Sequence, residues 1–308
     1  MQPKSRRFYV VDALLILLSI LPFVVGMTLK VLFTPPSEGI NITGALIYFT
    51  IPMPIQDLPI TEAHVNSALI VIAILGFCLY MTHGIRCNTA TRRQHLAEWA
   101  VETLESMVGE SMGEFFSAFP PFIGAILILS AVSSLSTLLG IYAPTADLNI
   151  VAGWAILVFA LITYYKLKGG ILNYVKGYLE PIPVMLPLNI LGEVATPISM
   201  TFRHYGNVLS GSVIAVLIAV ALEGASSLVL GWLPGVLGEI PFLRIGLPAV
   251  LSLYFDIFSG CMQAYIFAML TMLNISGGFP EELYTERLKK KLERKEKRKA
   301  DKLIKEVK

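Results

Sequence analysis

Six long apolar stretches alternate with short polar segments along the chain. They lie at about residues 10–33, 64–83, 121–142, 150–166, 186–223 and 243–275. A helix that crosses a bilayer needs about 20 mostly apolar residues. Stretches rich in proline and glycine separate several of them, as expected of turns and loops. The pattern predicts an all-α polytopic membrane protein with about six membrane-crossing helices.

The positions of the basic residues predict how these spans are oriented. Of the 24 lysines and arginines, all but Lys30, Arg203 and Arg244 fall in four groups. The groups precede the first span, follow the second, follow the fourth, and fill the chain from residue 287 onward. Basic loops stay on the cytoplasmic side of a membrane. A topology with both termini in the cytoplasm satisfies this rule at every group.

Three segments outside the main spans have a preferred interpretation and an alternative. Residues 92–116 carry glutamates at largely helical spacing, which predicts an amphipathic helix along the cytoplasmic interface, or else a soluble loop helix. The first span follows basic residues and is interpreted as an uncleaved anchor, with a signal peptide as the alternative. The charged tail is interpreted as a solvated helix or frayed tail without a specific role, with a role at anionic headgroups as the alternative.

Composition argues against a soluble enzyme. The chain is 55% hydrophobic and 15% charged, whereas soluble domains are about 25% charged. The three cysteines have no CxxC spacing and the four histidines no HExxH spacing, so neither a disulfide framework nor a metal site is predicted. No GxxxxGK[ST] or GxGxxG phosphate loop is present. We expect no cofactor and no nucleic-acid partner, and the lipid bilayer is the surrounding medium.

Arg203 stands out inside the fifth apolar stretch. Polar residues recur around it at helical intervals, at Thr196, Ser199, Arg203, Asn207 and Ser210. This spacing places them on one helix face, and Asn189 and Glu193 continue the face toward the cytoplasmic end. An arginine in the middle of a span costs on the order of 3 kcal/mol, which predicts a functional role. Because a guanidinium does not deprotonate in proteins, Arg203 is a fixed positive charge suited to attracting a carboxylate.

The last apolar stretch carries a second polar stripe, formed by Ser252, Asp256, Ser259 and Gln263. The two stretches form a predicted hairpin, and lipid tolerates neither polar seam. The alternative for the hydroxyl and amide groups is that they bridge helices, for about 1 kcal/mol each. Residues 186–223 alone would extend about 55 Å as a helix, against a hydrocarbon core of about 30 Å. That helix must therefore tilt, bend or break.

The sequence PLNILGEVATPISMTFRHYGNVLSG, followed later by MQAYIFAMLTMLNIS, resembles subunit a of F-type ATP synthases. The resemblance covers about residues 59–276. It implies a long tilted hairpin facing the ring of c subunits, and a non-catalytic proton-conducting subunit with two half-channels that couple ion flow to ATP synthesis. It also implies b-type peripheral stalk partners and a bacterial inner membrane. Residues 1–58 and 277–308 are then an N-terminal extension and a charged cytoplasmic tail.

The resemblance assigns roles to particular residues. Arg203 matches the arginine that separates the half-channels, Gln263 the glutamine near it, and Asn207 the asparagine one turn later. Asp256 falls where relatives carry histidine or glutamate, and is the candidate proton acceptor of the external half-channel. Further candidate lining residues are Ser199, Ser210, Ser252, Ser259, Glu193 and Asp147, the last with a turn or helix cap as the alternative.

The chain departs from the family pattern at two places. Many relatives carry an acid nine residues after the arginine, where this chain has Ser212, so the external path must use Asp256 or a chain of waters. His204 and Tyr205 replace a common Leu-Phe pair, and His204 is interpreted as a packing or interface residue, with titration as the alternative. A secondary transporter and a structural scaffold are the other functions considered, and both H⁺ and Na⁺ are open as coupling ions.

Overall fold

The computed structural model describes residues 6–34, 44–54, 56–85, 91–179, 182–230, 246, 250–251, 253–282, 284–286 and 289. Within this part of the chain, six helices are long and apolar enough to cross a membrane. The predicted all-α polytopic fold is therefore confirmed. The predicted beginning of the sixth stretch lies largely outside the described residues.

Eight α-helices are described, in the order α1 (Arg6–Phe33), α2 (Glu62–Thr82), α3 (Arg92–Met112), α4 (Pro120–Leu135), α5 (Leu148–Leu167), α6 (Ile171–Leu179), α7 (Leu186–Leu230) and α8 (Gly260–Gly277). A 3₁₀ turn extends α4 to Leu139, and a π-helix at Leu253–Ser259 runs directly into α8. The spans are α1, α2, α4, α5, α7 and the combined π-helix and α8. Helix α3, of 21 residues, and the short α6, of nine, lie between spans.

A two-stranded hairpin, which the sequence analysis did not predict, precedes α2. Strand β1 (Ile47–Ile51) pairs antiparallel with β2 (Leu58–Thr61), with Ile51 opposite Leu58. The proline-rich segment that we interpreted as a loop lies between and partly within the strands. Isoleucine, phenylalanine and threonine favour paired extended backbone on both sides of the turn. The hairpin joins α2 directly, since the Glu62 amide donates to the Leu46 carbonyl at 2.7 Å.

Helix α3 is the predicted amphipathic segment, and its ends have clear local causes. The Thr91 hydroxyl accepts from the amide of Gln94 at 3.3 Å and caps the first turn. The helix ends at Gly113, whose φ of +82° suits glycine. Residues 109–113 read GESMG, which has the spacing of a nucleophile elbow. Ser111 nevertheless lies in a helix rather than at a strand-to-helix turn, so this run does not indicate a hydrolase.

Helices α3, α4, α5, α7 and α8 share one hydrophobic core. Its buried members are Val108, Met112, Phe116, Ile123, Ala155, Val158, Ile162, Met200, Phe267, Ala268, Met272 and Ile275. Because these residues come from five helices, the bundle holds each of its spans in a fixed position relative to the others. The mid-section of α7 is thereby supported from one side.

Helix α7 remains one continuous helix of 45 residues, through Pro197. At 1.5 Å per residue it is about 68 Å long, more than twice the hydrocarbon thickness of about 30 Å. Of the three possibilities considered for so long a segment, a tilt, a bend or a break, the break is therefore excluded. Only 6% of its most apolar window is buried, against 33% for the α4 span. Most of its surface therefore faces lipid or another protein.

A charged cluster fixes the beginning of α1 to the rest of the bundle. Asp12 accepts from His83 Nδ1 at 2.8 Å and from a guanidinium nitrogen of Arg93 at 3.1 Å. The Arg93 guanidinium also lies 4.6 Å from the Tyr80 ring centroid. Further along α1, a Cβ added to Gly76 of α2 would lie 2.9 Å from the Ser19 backbone nitrogen, so the two helices approach closely.

Replacing Asp12 with alanine is expected to loosen α1. The change removes the carboxylate that accepts from Arg93 and His83, while Arg93 keeps the His83 carbonyl as an acceptor. We expect a loss of about 1–2 kcal/mol because the pair is partly exposed. Thermal unfolding of the detergent-solubilised protein measures this loss. Asp57→Asn, at an exposed carboxylate of the hairpin, is the control. Equal melting temperatures for the two variants would show that the cluster contributes nothing.

Candidate functional site

The two helices that carry the polar stripes are in direct contact. The Asn207 side-chain amide of α7 donates to the Ser259 hydroxyl at 2.7 Å. One turn further, a Cβ added to Gly211 would lie 3.0 Å from the Phe255 ring, so this glycine permits a close approach. The two helices of the predicted hairpin are therefore in contact, with Asn207 and Ser259 as their polar link, and the segment that joins them lies largely outside the described residues.

Part of the polar stripe around Arg203 lies at the surface of the bundle. Ser199, Arg203 and Ser210 are exposed, Asn207 is half-buried, and the nearby Met200 and Thr201 are buried. Nowhere in the described part of the chain does Arg203 find a hydrogen-bond or ion-pair partner. A guanidinium carries five donors and a permanent charge. This arrangement is costly in lipid unless a second molecule supplies an acceptor.

His204, next to Arg203, points the opposite way and is fully buried. Its Nε2 lies 3.2 Å from the Ser130 hydroxyl of α4, and its ring centroid lies 5.5 Å from that of Phe267 of α8 and 6.2 Å from that of Trp154 of α5. His204 therefore joins four helices behind the arginine. This placement agrees with our interpretation of it as a packing residue.

The second stripe does not form one continuous face. Asp256 and Ser259 lie half-buried in the π-helix, while Gln263, in α8, is buried with 5% exposure. A π-helix has a wider turn than an α-helix, so it rotates the residues before Gly260 relative to those after it. Asn207 and Ser259 are brought together, whereas no hydrogen bond among the described residues joins Arg203 to Gln263. Ser252 lies outside the described residues.

Three adjoining cavities connect Arg203 with the predicted cytoplasmic side of the bundle. The first, of about 290 Å³, is lined by Arg203, Ser199, Thr196 and Asn274. A second of about 240 Å³ shares Thr196 and Asn274 with it and reaches Glu193. A third of about 500 Å³ shares Thr196 and Glu193 and extends along α6. Together they form a groove with both polar and apolar lining residues, hereafter the α6 groove, from the arginine to the start of α7.

Glu193 lies in the α6 groove with several partners. It accepts from the Lys166 ammonium of α5 at 3.0 Å, from the Tyr174 hydroxyl at 3.2 Å, and from the Tyr178 hydroxyl. The two tyrosines lie one turn apart on α6 and their hydroxyls are 2.5 Å apart. The carboxylate is therefore held by a cation and a pair of phenols, which links α5, α6 and α7.

The remaining predicted residues have local roles that the structure makes explicit. Asp147 accepts from the Asn149 amide at 2.9 Å and caps α5, which is the alternative that we gave for it. Ser210 donates to the Gly206 carbonyl of its own helix at 2.6 Å. Lys166, Tyr174, Tyr178 and Asn274 were missed as lining residues. The only sequence signals for them were a lysine at the end of a span and two tyrosines four residues apart.

These features define a polytopic helical membrane protein built around a long hairpin, with an arginine exposed on the outer face of that hairpin. The family of ATP synthase A chains matches residues 65–276, which run from the first turn of α2 to the last turn of α8. The chain therefore belongs to the family of subunit a of F-type ATP synthases. It is a non-catalytic membrane subunit of that complex, active in ion transport and ATP synthesis.

Bacterial ATP synthase subunits a are similar in sequence to this chain over most of their own length. ATP synthase subunit a of Bacillus pumilus is 31% identical over 233 residues, which span 70% of this chain and 92% of the relative. The subunit of Bacillus subtilis is 31% identical over 226 residues, or 69% and 88%. The sodium ion specific subunit a of Propionigenium modestum is 26% identical over 285 residues, or 82% and 90%. The chain is accordingly a multi-pass bacterial membrane protein.

The contact between Lys166 and Glu193 can be tested by a double-mutant cycle. Lys166→Met leaves the carboxylate without its cation, and we expect a stability loss of about 1–3 kcal/mol. Adding Glu193→Gln is expected to recover part of that loss, because no charge is then left unpaired. Thermal unfolding in detergent is the measurement, and Lys176→Met, at an exposed lysine of α6, is the control. Additive losses in the double variant would contradict a direct interaction.

Proposed function

We propose that this subunit conducts protons past Arg203 at an interface with the ring of c subunits, and so couples ion flow to rotation and ATP synthesis. The exposed Arg203, with no partner among the described residues, is the observation that carries the proposal. A carboxylate on each passing c subunit would supply the missing acceptor. The large surface that α7 leaves unburied matches such a neighbour.

The α6 groove is the proposed half-channel on the cytoplasmic side. Its lining of amide, hydroxyl and carboxylate groups can hold water from the surface up to Arg203. The basic groups of the sequence support this orientation, in which both chain termini lie in the cytoplasm. Peripheral stalk subunits of b type are the further proposed partners, on the strength of the family.

Asp256 is the proposed proton acceptor of the external half-channel. The Asn207–Ser259 hydrogen bond lies between Asp256 and the α6 groove. Asp256 belongs to a π-helical segment, and such segments are often found at functional sites. A proton from external water would protonate the Asp256 carboxylate and then pass to the carboxylate of a c subunit. After rotation, that c subunit releases its proton into the α6 groove.

Arg203 would act between these two transfers as an electrostatic barrier. Its charge repels hydrated cations, which prevents ions from crossing directly between the half-channels. The same charge stabilises the ionised carboxylate of a c subunit while it passes from one half-channel to the other. Because Arg203 keeps its own proton, every proton that crosses must travel on the ring.

Replacement of Arg203 by alanine tests the proposal. We expect Arg203→Ala to insert and assemble but to abolish ATP synthesis driven by an ion gradient, since the ring carboxylate loses its counter-charge. The assay uses the whole complex in vesicles, with Leu209→Ala, an exposed apolar residue of the same helix, as the control. Synthesis at a near wild-type rate in the arginine variant would refute the mechanism.

Asp256→Asn removes the proposed external acceptor without changing its shape. We expect proton uptake from the external side to slow by about tenfold or more, the typical worth of one positioned acid-base group. Passive proton conductance of the vesicles after removal of the catalytic sector measures it, with Asp57→Asn as the control. The same assay with added Na⁺ identifies the coupling ion. Unchanged conductance would remove Asp256 from the path.

A further inference from the structure

A second polar site lies on the external side of the bundle, away from Arg203. Four side-chain oxygens are buried there without a hydrogen-bond partner among the described residues, namely Tyr48 Oη, Glu62 Oε1, Asn66 Oδ1 and Thr145 Oγ1. Glu62 is 2% exposed, Asn66 1% and Thr145 0%. They come from β1, from the first turns of α2, and from the loop between α4 and α5.

Contacts bring these groups together. Glu62 and Asn66 lie one turn apart on the same face of α2. The Asn66 amide donates to the Tyr142 carbonyl at 3.0 Å, three residues before Thr145. Tyr48 lies close enough to Glu62 for the carboxylate charge to act on it, because burial first and then Glu62 raise the pKa of its phenol. The four oxygens thus belong to one region, hereafter the Glu62 site.

Unpaired buried oxygens are expensive. Each costs about 1–3 kcal/mol if nothing binds to it, and several in one place indicate a bound water or cation. The position of Glu62 at the start of α2 has a simpler explanation, since an acid there interacts favourably with the helix dipole. That explanation does not extend to Asn66, Thr145 and Tyr48. Carboxylate, amide and hydroxyl oxygens together suit a hydrated small cation.

The Glu62 site extends toward the path of the ion. Burial raises the pKa of the Tyr142 phenol, and the nearby Asp147, Tyr205 and Glu62 raise it further. Tyr205 lies two residues after Arg203 on α7, and the turn at Pro144–Ala146, which follows Tyr142, packs against both α2 and α7. The Glu62 site is therefore adjacent to the part of α7 that carries Tyr205.

We propose that Glu62, with Asn66, Thr145 and Tyr48, forms an external binding site for the coupling cation that feeds the inlet half-channel. The inference rests on the proposed function above. Other ionisable groups around the Glu62 site are Lys30, His64, Tyr142, Asp147 and Tyr205. Lys30 donates to the Gly140 carbonyl at 2.5 Å, and His64 contacts Thr61 at 2.7 Å.

The test is the dependence of ion-driven ATP synthesis on external pH, measured with the whole complex in vesicles at a fixed internal pH. For Glu62→Gln we expect half-maximal synthesis to require about three- to tenfold more external H⁺, because the site that concentrates protons is weakened. At saturating external acid the rate should approach that of the unmodified complex. Glu62→Asp, which keeps the carboxylate, should restore most of the difference, and Asp57→Asn should show none.

A second variant covers the case in which Glu62→Gln fails to assemble. Thr145→Val keeps the shape of the side chain and removes only its hydroxyl, and we expect a shift of about two- to threefold in the same direction. If the coupling ion is Na⁺, the same shifts appear in the external Na⁺ dependence at constant pH. Unchanged dependence on both ions in an assembled variant overturns the Glu62 site.

Comparing the Arg203→Ala and Glu62→Gln variants distinguishes a failure of this inference from a failure of the proposed function. If Arg203→Ala still couples ion flow to synthesis, the proposed function itself is wrong and the Glu62 site falls with it. If Arg203→Ala abolishes coupling while Glu62→Gln has the external ion dependence of the unmodified complex, only the Glu62 site is refuted. Quantifying subunit a in the membranes shows for each variant whether assembly took place.

Discussion

A guanidinium keeps its charge in any protein environment, and a charge beside hydrocarbon is costly unless a counter-charge lies within reach. Arg203 is exposed and has no hydrogen-bond or ion-pair partner among the described residues. Contact with lipid alone would leave its charge unpaired. The rest of the structure can be understood as the support for this one exposed cation. In the proposed mechanism, the carboxylate of each passing c subunit pairs with Arg203 briefly and then moves on, which is the condition for turnover.

Support for Arg203 comes from the face of α7 that lies behind it. His204, Met200 and Thr201 are buried there, and His204 contacts three other helices. Such packing resists displacement, since interiors are as dense as organic crystals. The Asn207–Ser259 hydrogen bond adds a polar link to the neighbouring helix. A positioned charge acts more strongly on a partner than a mobile one, because no reorganisation is needed when that partner arrives.

Polar groups are arranged differently on the two sides of the bundle. On the predicted cytoplasmic side, Glu193 is satisfied by Lys166 and two tyrosines and borders an open groove. On the other side, polar oxygens near the β1–β2 hairpin and the α4–α5 loop are buried without hydrogen-bond partners among the described residues. An open groove suits release into bulk water, whereas an enclosed cluster of oxygens suits capture of a dilute cation. This difference agrees with a directional path.

The sequence alone determined the six spans, their order and the polar face around Arg203, because hydropathy and helical spacing are local properties of the chain. It did not determine which way that face points, since this depends on the helices that cover the opposite side. Pairing of Lys166 with Glu193 and of Asn66 with Tyr142 joins residues 27 and 76 positions apart. The π-helix before Gly260 also breaks the regular spacing from which the second stripe was inferred. Only tertiary packing, which brings distant segments together and fixes local helical register, decided these features.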